Sequence, residues 1–391
     1  MASFFDHPYY KWNKTAMTII GTWPGQPFLL RLLIPIFICS SMLCLIVPEI
    51  VYLKITWLDI DALLDWVPPI SILTLTMTQL LNGSFHPEKI SAILEHISSD
   101  WKDFRDARDV EVLEKYAAHG FWITKTYYRA MTVMVSCYAI MPFLMPVALQ
   151  YFVPSNNGSS GKIYLFNAYY GVDSDDYYYF ILAHMILETA VSSVVMVAND
   201  ALYFVFIEHS CALFKIVEVN LERICSLRGH TKDPEEDESF NVTCYCINLH
   251  QKAIFFTVLI DSAYNGPLLV IIGTSLLSLS VAELQMLMHL DKPGELIRFG
   301  LFAISQILRL YLLSISGQKI MDYSSSIFHY VYSVNWHDLS PRVQKLFVVM
   351  MIRSLRPCYV SAGKMYTITM ENYSAILRTS MSFFTVLSSL R

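Results

Sequence analysis

The sequence predicts an all-α membrane protein with seven transmembrane helices. Of its 391 residues, 54% are hydrophobic and only 16% are charged, and the mean hydropathy is +0.43. These values are typical of a chain that buries much of its surface in lipid. No change in composition marks a separable soluble domain, so we expect one heptahelical membrane domain over residues 1–391.

The predicted spans follow seven apolar stretches in order. They cover residues 32–52, 63–81, 130–152, 180–207, 253–287, 296–316 and 363–390. We expect a break in span two near Pro68-Pro69 and a kink in span five at Gly266-Pro267, because proline removes a helical hydrogen bond. The charged stretches 86–128 and 208–252 carry apolar residues at helical intervals, so spans four and five are expected to continue beyond the membrane as helices.

Basic residues predict the orientation of these spans. The amino-terminal segment and the loops after spans two, four and six are rich in lysine and arginine. The opposite side has only Lys54, Lys162, Lys292, Arg298 and Arg391. By the positive-inside rule the amino terminus is cytoplasmic, and seven spans then place the carboxyl terminus outside. This is the inverse of a G-protein-coupled receptor.

The cysteines and sequence motifs argue against several other classes. None of the eight cysteines falls in a predicted outer loop, so no disulfide framework is expected. The spacing of Cys244-Tyr245-Cys246 is wrong for a zinc half-site, and we expect neither a metal nor another cofactor. The sequence has no H-E-x-x-H, P-loop, dinucleotide fingerprint or nucleophile elbow, so an enzyme is not expected.

The sequon at Asn157 lies in a predicted outer loop and is a candidate for glycosylation.

The closing apolar stretch carries a regular polar stripe. Its members recur every three or four residues: Thr367, Glu371, Ser374, Arg378, Ser382, Thr385 and Ser389. At about 100° per residue these side chains share one face of a helix. A polar group facing lipid costs several kcal/mol. The stripe therefore either packs against other helices or lines water, and the sequence pattern alone leaves both open.

The last third of the chain resembles the insect odorant receptor family. The motifs that carry the resemblance are Ser316-Gly317-Gln318 with Ser324, Tyr332-Ser333-Val334-Asn335-Trp336, Leu339-Ser340-Pro341-Arg342, Met351-Ile352-Arg353-Ser354-Leu355-Arg356-Pro357, Ala362-Gly363-Lys364-Met365-Tyr366 and Ser382-Phe383-Phe384-Thr385-Val386-Leu387. Their order and spacing are specific to that family. Upstream of span five the agreement is in topology and length.

The resemblance implies an odorant-tuning subunit of a heteromeric, ligand-gated, non-selective cation channel. The expected partners are a common co-receptor in a heterotetramer, a volatile odorant, permeating cations and membrane lipids, with no nucleic acid. The expected location is the plasma membrane of a sensory-neuron dendrite. Residues 32–316 would hold helices one to six with the ligand pocket in their outer half, 317–362 a cytoplasmic anchor segment, and 363–391 the pore-lining helix.

The resemblance also implies residue roles. Val386 and Leu390 match the apolar gate, with Ser389 and the hydroxyls of Thr385 and Ser382 beside it. The odorant site among spans two, three, four and six would draw on Ile70, Thr74, Tyr138, Met141, Met145, His184, Glu188, Phe299, Phe302 and Gln306. Desolvation and dispersion would supply most of the affinity for a volatile ligand. As alternatives, Met141 and Met145 would simply pack, and His184 and Glu188 would satisfy each other.

Two alternative functions share much of this pattern. A gustatory receptor would have the same topology and pore, although the closing motif favours the odorant branch. A metabotropic seven-helix receptor would need a separate transducer. A secondary transporter would usually show inverted repeats, and no such symmetry is evident.

Overall fold

The computed structural model describes residues 4–57, 59–152, 162–226 and 238–389, and these are almost entirely helical. The helices are α1 Pro8–Ile19, α2 Phe28–Ile55, α3 Ile60–Phe85, α4 Pro87–Asp103, α5 Ala107–Phe152, α6 Tyr178–Ser226, α7 Glu238–Met288, α8 Pro293–Ser333, α9 Pro341–Ser354 and α10 Met370–Ser389. A small antiparallel hairpin joins strand β1, Ser361–Ala362, to strand β2, Tyr366–Thr367. The predicted all-α class is confirmed.

Seven of these helices have membrane-spanning length. Six helices in the described residues, α2, α3 and α5 to α8, are both long and apolar enough to cross a membrane. They contain the first six predicted spans. The seventh, α10, has 20 residues, and at 1.5 Å per residue it is about 30 Å long, the thickness of the hydrocarbon layer. It is more polar than the others because it combines Glu371 and Arg378 with five serines and two threonines.

Two sequence-based expectations, the start of the closing helix and a break in span two, are wrong. The closing helix was expected from residue 363 but begins at Met370, because β1 and β2 form a hairpin whose turn holds Gly363 and Lys364 at φ angles of +60° and +59°. Thr367 therefore lies on a strand and not on the helical stripe. The expected break at Pro68-Pro69 is absent, since α3 is one continuous helix; a membrane helix tolerates proline where its neighbours satisfy the freed carbonyls.

The predicted extensions of spans four and five are confirmed. Helix α6 has 49 residues and α7 has 51, so each is about 75 Å long, more than twice the hydrocarbon thickness. Helix α6 packs on α5, α7 and α8, while α3 and α10 pack on α7. We call the end of the bundle that carries α1, α4 and α9 the anchor end.

Charged and polar pairs cross-link the anchor end. His209 of α6 lies with Nε2 2.8 Å from a carboxylate oxygen of Asp100 in α4, and Lys252 of α7 contacts the same carboxylate. Glu208 of α6 pairs with Lys319 of α8 and, at 2.9 Å, with Nδ1 of His119 in α5. These contacts tie five helices together outside the predicted membrane spans.

The hairpin fixes the start of α10 against the bundle. Asp261 of α7 accepts hydrogen bonds from the backbone N–H and the hydroxyl of Ser361, both at 2.7 Å. At Gly317 of α8, an added Cβ would lie 2.3 Å from the carbonyl oxygen of Ile368, so only glycine permits this approach. The N–H of Met370 donates to Oε1 of Gln318 at 3.3 Å.

Helix α10 then runs away from the anchor end. Near its middle, the buried hydroxyl of Ser380 donates to Glu283 of α7 at 3.2 Å. Further along, Phe384 packs against a small cluster of Leu64, Val281 and Leu284 from α3 and α7. The carboxyl end of α10 therefore lies at the opposite end of the bundle, beside the last turns of α7.

Candidate functional site

A mostly apolar cavity of about 120 Å³ lies inside the bundle, away from the anchor end. Its walls come from α2, α3, α5, α6, α8 and the segment before α6. The lining residues are Leu45, Asp65, Pro68, Pro69, Ile72, Leu73, Met131, Met134, Val135, Tyr138, Leu165, Phe166, Glu188, Thr189, Ser192, Ser193, Met196, Arg298, Phe299, Leu301, Phe302, Ser305 and Gln306. Such a cavity, apolar with a few polar groups, is typical of small-molecule sites.

The segment that precedes α6 closes one side of the cavity. Leu165 and Phe166 are both buried, although neither belongs to a helix or strand. The carbonyl oxygen of Leu165 accepts hydrogen bonds from the hydroxyl of Tyr138 at 3.0 Å and from Nη1 of Arg298 at 3.3 Å. Two helices therefore hold this segment over the cavity.

The charged groups at this side of the cavity pair with one another. Nη2 of Arg298 lies 2.6 Å from Glu295 and 3.6 Å from Asp65. The Asp65 carboxylate also accepts hydrogen bonds from Gln285 at 2.8 Å and Asn167 at 3.0 Å. One guanidinium therefore serves two carboxylates, and the amides of Gln285 and Asn167 supply further hydrogen bonds to Asp65.

Helix α6 contributes polar groups of a different kind. Glu188 and Ser192, one helical turn apart, both line the cavity and are each 2% exposed. Glu188 accepts from the Ser41 hydroxyl at 3.4 Å, and the Ser192 hydroxyl has no hydrogen-bond partner among the described residues. The neighbouring hydroxyls of Thr189 and Ser193 donate to carbonyls one turn earlier, at 2.8 and 2.7 Å. Glu188 and Ser192 therefore retain hydrogen-bonding capacity.

A fully buried polar network lies one turn beyond Gln306, the last cavity residue on α8. Arg309 pairs with Asp200 of α6 through two contacts, Nε–Oδ2 at 2.6 Å and Nη2–Oδ1 at 3.0 Å. Gln79 of α3 and Tyr127 of α5 donate to the same carboxylate at 3.0 and 2.8 Å. The four helices that wall most of the cavity thus meet at Asp200.

The structure brings half of the sequence-derived pocket residues together. Tyr138, Glu188, Phe299, Phe302 and Gln306 line the one cavity. The remaining five, Ile70, Thr74, Met141, Met145 and His184, do not line it. Thr74 faces outward and is exposed, whereas Met141 and Met145 are buried elsewhere. His184 pairs with the hydroxyl of Tyr170 at 2.9 Å and not with Glu188.

Several cavity residues were missed by the sequence reasoning. Ser192 could have been found, since it follows Glu188 by one helical turn and so shares its face. In the sequence, Arg298 indicates only a positive charge on the outer side, and nothing in the local pattern distinguishes Asp65. Leu165 and Phe166 carry no periodic signal, because they lie in an irregular segment whose position depends on tertiary contacts.

The polar stripe of α10 faces away from the rest of the chain. Its helical members, Glu371, Ser374, Arg378, Ser382, Thr385 and Ser389, are all exposed. The opposite face carries Ile376 and Ser380, which are buried against α7 and α8. Packing of the stripe against this chain's own described helices, one of the two interpretations left open by the sequence, is therefore wrong.

The hydroxyl groups of this face have a common geometry. Ser382, Thr385 and Ser389 each donate their hydrogen to a carbonyl of α10, at 2.9, 2.8 and 2.8 Å. Their oxygen lone pairs are left to accept from, or coordinate, whatever lies beside the helix. Val386 is 54% exposed. Leu390, the second residue predicted for the gate, lies outside the described residues, as does Asn157.

Seven membrane-length helices around an internal apolar cavity define a multi-pass membrane protein with a candidate small-molecule site in its bundle. The family model described as "7tm Odorant receptor" matches residues 59–381. The chain belongs to this odorant receptor family.

Individual relatives agree with this assignment. Odorant receptor 9a of Drosophila melanogaster is 23% identical over 322 residues, covering 81% of this chain and 78% of the relative. An odorant receptor coreceptor of Aedes aegypti is 22% identical over 151 residues, 38% of this chain and 31% of the relative. The solved olfactory receptor OR5 of Machilis hrabei, in complex with eugenol, superposes with a TM-score of 0.74 at 13% identity and 97% coverage of both chains. This similarity confirms the seven-helix fold.

Proposed function

We propose that this odorant receptor is the odorant-binding subunit of a heteromeric, ligand-gated, non-selective cation channel in the plasma membrane. The observation that carries the proposal is the uncovered hydroxyl face of α10, directly opposite the face that packs on α7 and α8. A helix that faced lipid there would expose Glu371, Arg378 and a row of hydroxyls at a cost of several kcal/mol. A water-filled pore between subunits removes that cost.

The chemistry of the face suits cations. Hydroxyl oxygens whose hydrogens are already donated to the helix can replace part of an ion's hydration shell. Val386 lies on the flank of this face, where an apolar side chain can narrow the pore and close it by dewetting. The hydroxyl-bearing turns from Ser382 to Ser389 carry no acidic residue, which favours weak discrimination among cations.

The proposed ligand site is the cavity walled by α3, α5, α6 and α8. Tyr138, Glu188, Phe299, Phe302 and Gln306 are proposed to contact the odorant there. The related OR5 was solved with eugenol bound, which supports a small organic ligand for this chain as well. The Asp200 network below the cavity offers a physical route by which movement of α8 against α6 reaches α7 and then α10.

The partner is proposed to be an odorant receptor co-receptor in a heterotetramer. The chain is matched by coreceptors over a much smaller share of its length than by Odorant receptor 9a, which favours the variable, ligand-tuning role. The basic residues gathered at the anchor end favour a cytoplasmic amino terminus and an outer carboxyl terminus.

Electrical recording of odorant-evoked currents tests the proposed channel function. Cells that express this chain with a co-receptor are expected to give odorant-evoked cation currents that persist in excised patches without nucleotides, because the ligand opens the pore directly. A current that disappears in such patches would contradict the channel function and favour a metabotropic receptor. An epitope tag on Arg391 should be reached by antibody on intact cells; detection only after permeabilisation would refute the orientation.

A further inference from the structure

The cavity contains two polar groups with hydrogen-bonding capacity left over, Glu188 and Ser192. Each is 2% exposed, and they stand one turn apart on the cavity face of α6. The Ser192 hydroxyl lacks a hydrogen-bond partner among the described residues, and Glu188 has a single long contact with Ser41, at 3.4 Å. A buried polar group without a partner is unfavourable, so a ligand that forms hydrogen bonds with both groups binds more tightly.

The other hydroxyls of the lining already donate to carbonyls, and Arg298 is already paired through its terminal nitrogens, although its Nε has no hydrogen-bond partner among the described residues. Thr189, Ser193 and Ser305 donate to helix carbonyls at 2.7–2.8 Å. Arg298 is held by Glu295 at 2.6 Å and by the Leu165 carbonyl at 3.3 Å. A ligand's donor group is therefore best satisfied at the α6 pair, because the unpaired Nε of Arg298 can only donate.

The cavity also limits ligand size. Its volume is about 120 Å³, and an apolar protein cavity of about 150 Å³ is known to hold benzene. A molecule of about six to nine non-hydrogen atoms fits this scale, with Phe299, Phe302 and Met196 against its apolar part.

We propose that Glu188 and Ser192 select a small volatile ligand that carries one O–H or N–H donor, an alcohol, a phenol or an amine. The ligand donates to the Glu188 carboxyl group and accepts from, or donates to, the Ser192 hydroxyl. An aldehyde, ester or hydrocarbon of the same size has no donor and leaves Glu188 without a new partner. This inference rests on the proposed odorant-receptor function and specifies the ligand class of the same site.

The experiment compares ligands that share one ring. Cells expressing the full chain with a co-receptor are tested with benzyl alcohol, benzylamine, benzaldehyde and toluene, and the half-maximal concentration is measured for each. We expect benzyl alcohol or benzylamine to act at a concentration at least about tenfold lower than benzaldehyde and toluene, as expected when a polar site rejects a ligand that leaves it unpaired. A stronger response to the amine would assign charge pairing at Glu188, and a stronger response to the alcohol would assign neutral hydrogen bonding.

Substitutions at Glu188 and Ser192 then test whether these two residues determine the preference for donor ligands. Ser192→Ala and Glu188→Gln should each raise the half-maximal concentration of the donor ligand by about two- to tenfold, and Glu188→Gln should not raise that of benzaldehyde, which donates nothing to residue 188. Ser193→Ala is the matched control, since its hydroxyl also lines the cavity but is bonded to a carbonyl of α6. Surface labelling confirms that each variant reaches the membrane, and if Glu188→Gln does not, the Ser192→Ala result decides.

Two outcomes would overturn the inference while leaving the channel function intact. One is equal potency of benzaldehyde, toluene and the donor ligands; the other is an identical response of Ser192→Ala and Ser193→Ala. Currents evoked only by other, donor-free odorants would likewise reject the ligand class alone. Absence of current with every odorant, in cells that display both subunits, would instead refute the proposed function and the inference with it.

Discussion

The guanidinium of Arg309 donates two hydrogen bonds to the carboxylate of Asp200, at 2.6 and 3.0 Å, and both side chains are almost completely buried. This pair joins α8 to α6 immediately beyond the cavity. Gln79 and Tyr127 bring α3 and α5 to the same carboxylate. Helices α3, α5, α6 and α8, which wall most of the cavity, are therefore joined at Asp200. Both carboxylate oxygens of Asp200 accept hydrogen bonds.

The first prediction concerns this pair. Asp200→Ala should destabilise the receptor by about 3–5 kcal/mol, because it leaves Arg309 buried without its counter-charge. The measurement is the melting temperature of the detergent-solubilised receptor, followed by size-exclusion chromatography. The double variant Asp200→Leu with Arg309→Met should recover much of the loss, since no charge stays buried. If Asp200→Ala were as stable as the parent, the ion pair would not contribute to the stability of the fold.

A second prediction concerns the close approach of α8 to the segment before α10. Gly317→Ala should sharply reduce the folded receptor at the surface, because its Cβ would lie 2.3 Å from a carbonyl oxygen and 2.8 Å from the side chain of Ile368. Overpacking of this kind costs about 1–3 kcal/mol or more. Gly273→Ala on α7 is the matched control, since nothing lies within 4 Å of its added Cβ. Equal surface amounts of the two variants would contradict the tight contact.

A third prediction concerns Asp100 at the anchor end. Burial disfavours its charged form, but hydrogen bonds and charge from His209 and Lys252 outweigh burial and lower the pKa of Asp100 below its usual value. A lowered pKa stabilises the fold above the unfolded-state pKa, near 4, and that stability is lost as the pH falls through the folded-state value. At neutral pH the contribution is complete.

Asp100→Asn should therefore cost about 1.5–3 kcal/mol at pH 7, with a smaller penalty as the pH falls below about 4. Asp103→Asn serves as the control, because its carboxylate is 62% exposed and 3.8 Å from Lys252. Thermal melts of the purified receptor across this pH range give the measurement. Equal penalties for both variants at pH 7 would show that the buried pairs with His209 and Lys252 contribute nothing particular.

A fourth prediction concerns the proposed gate. Val386→Ala combined with Leu390→Ala should raise the basal leak of the co-expressed channel, because smaller side chains widen an apolar constriction and allow it to stay wet. Whole-cell current without odorant measures the leak, compared with the parent at matched surface expression. An unchanged leak would mean that the partner's helices alone hold the pore shut.

The sequence predicts where most of the helices lie, but it seldom predicts which face of a helix lines the cavity. Apolar stretches of membrane length located the first six spans, because lipid imposes length and composition directly. The start of α10 was missed because the hairpin turn at Gly363 and Lys364 depends on contacts with α7, which no local pattern records. Met365 and Tyr366 read as the first apolar turn of a helix although they form part of that hairpin.

The pocket was half predictable for the same reason. A helix buried in a bundle or in lipid is apolar all round, so its sequence does not indicate which face lines a cavity. Thr74 was chosen on α3, yet the cavity takes Ile72 and Leu73 from that helix. On α6 the polar residues indicate the cavity face more closely. Glu188 lines the cavity, whereas His184, one turn earlier, forms a hydrogen bond with Tyr170.

The central claim is that the exposed face of α10 lines an ion pathway, and cysteine accessibility tests it most directly. Ser382→Cys and Thr385→Cys lie on that face, whereas Ser380→Cys is the control, buried against Glu283. We expect a membrane-impermeant, cationic thiol reagent, applied outside during odorant stimulation, to reduce the current through the first two variants and to spare Ser380→Cys and the parent channel. Unaltered currents through both Ser382→Cys and Thr385→Cys, with labelled protein present at the surface, would contradict it.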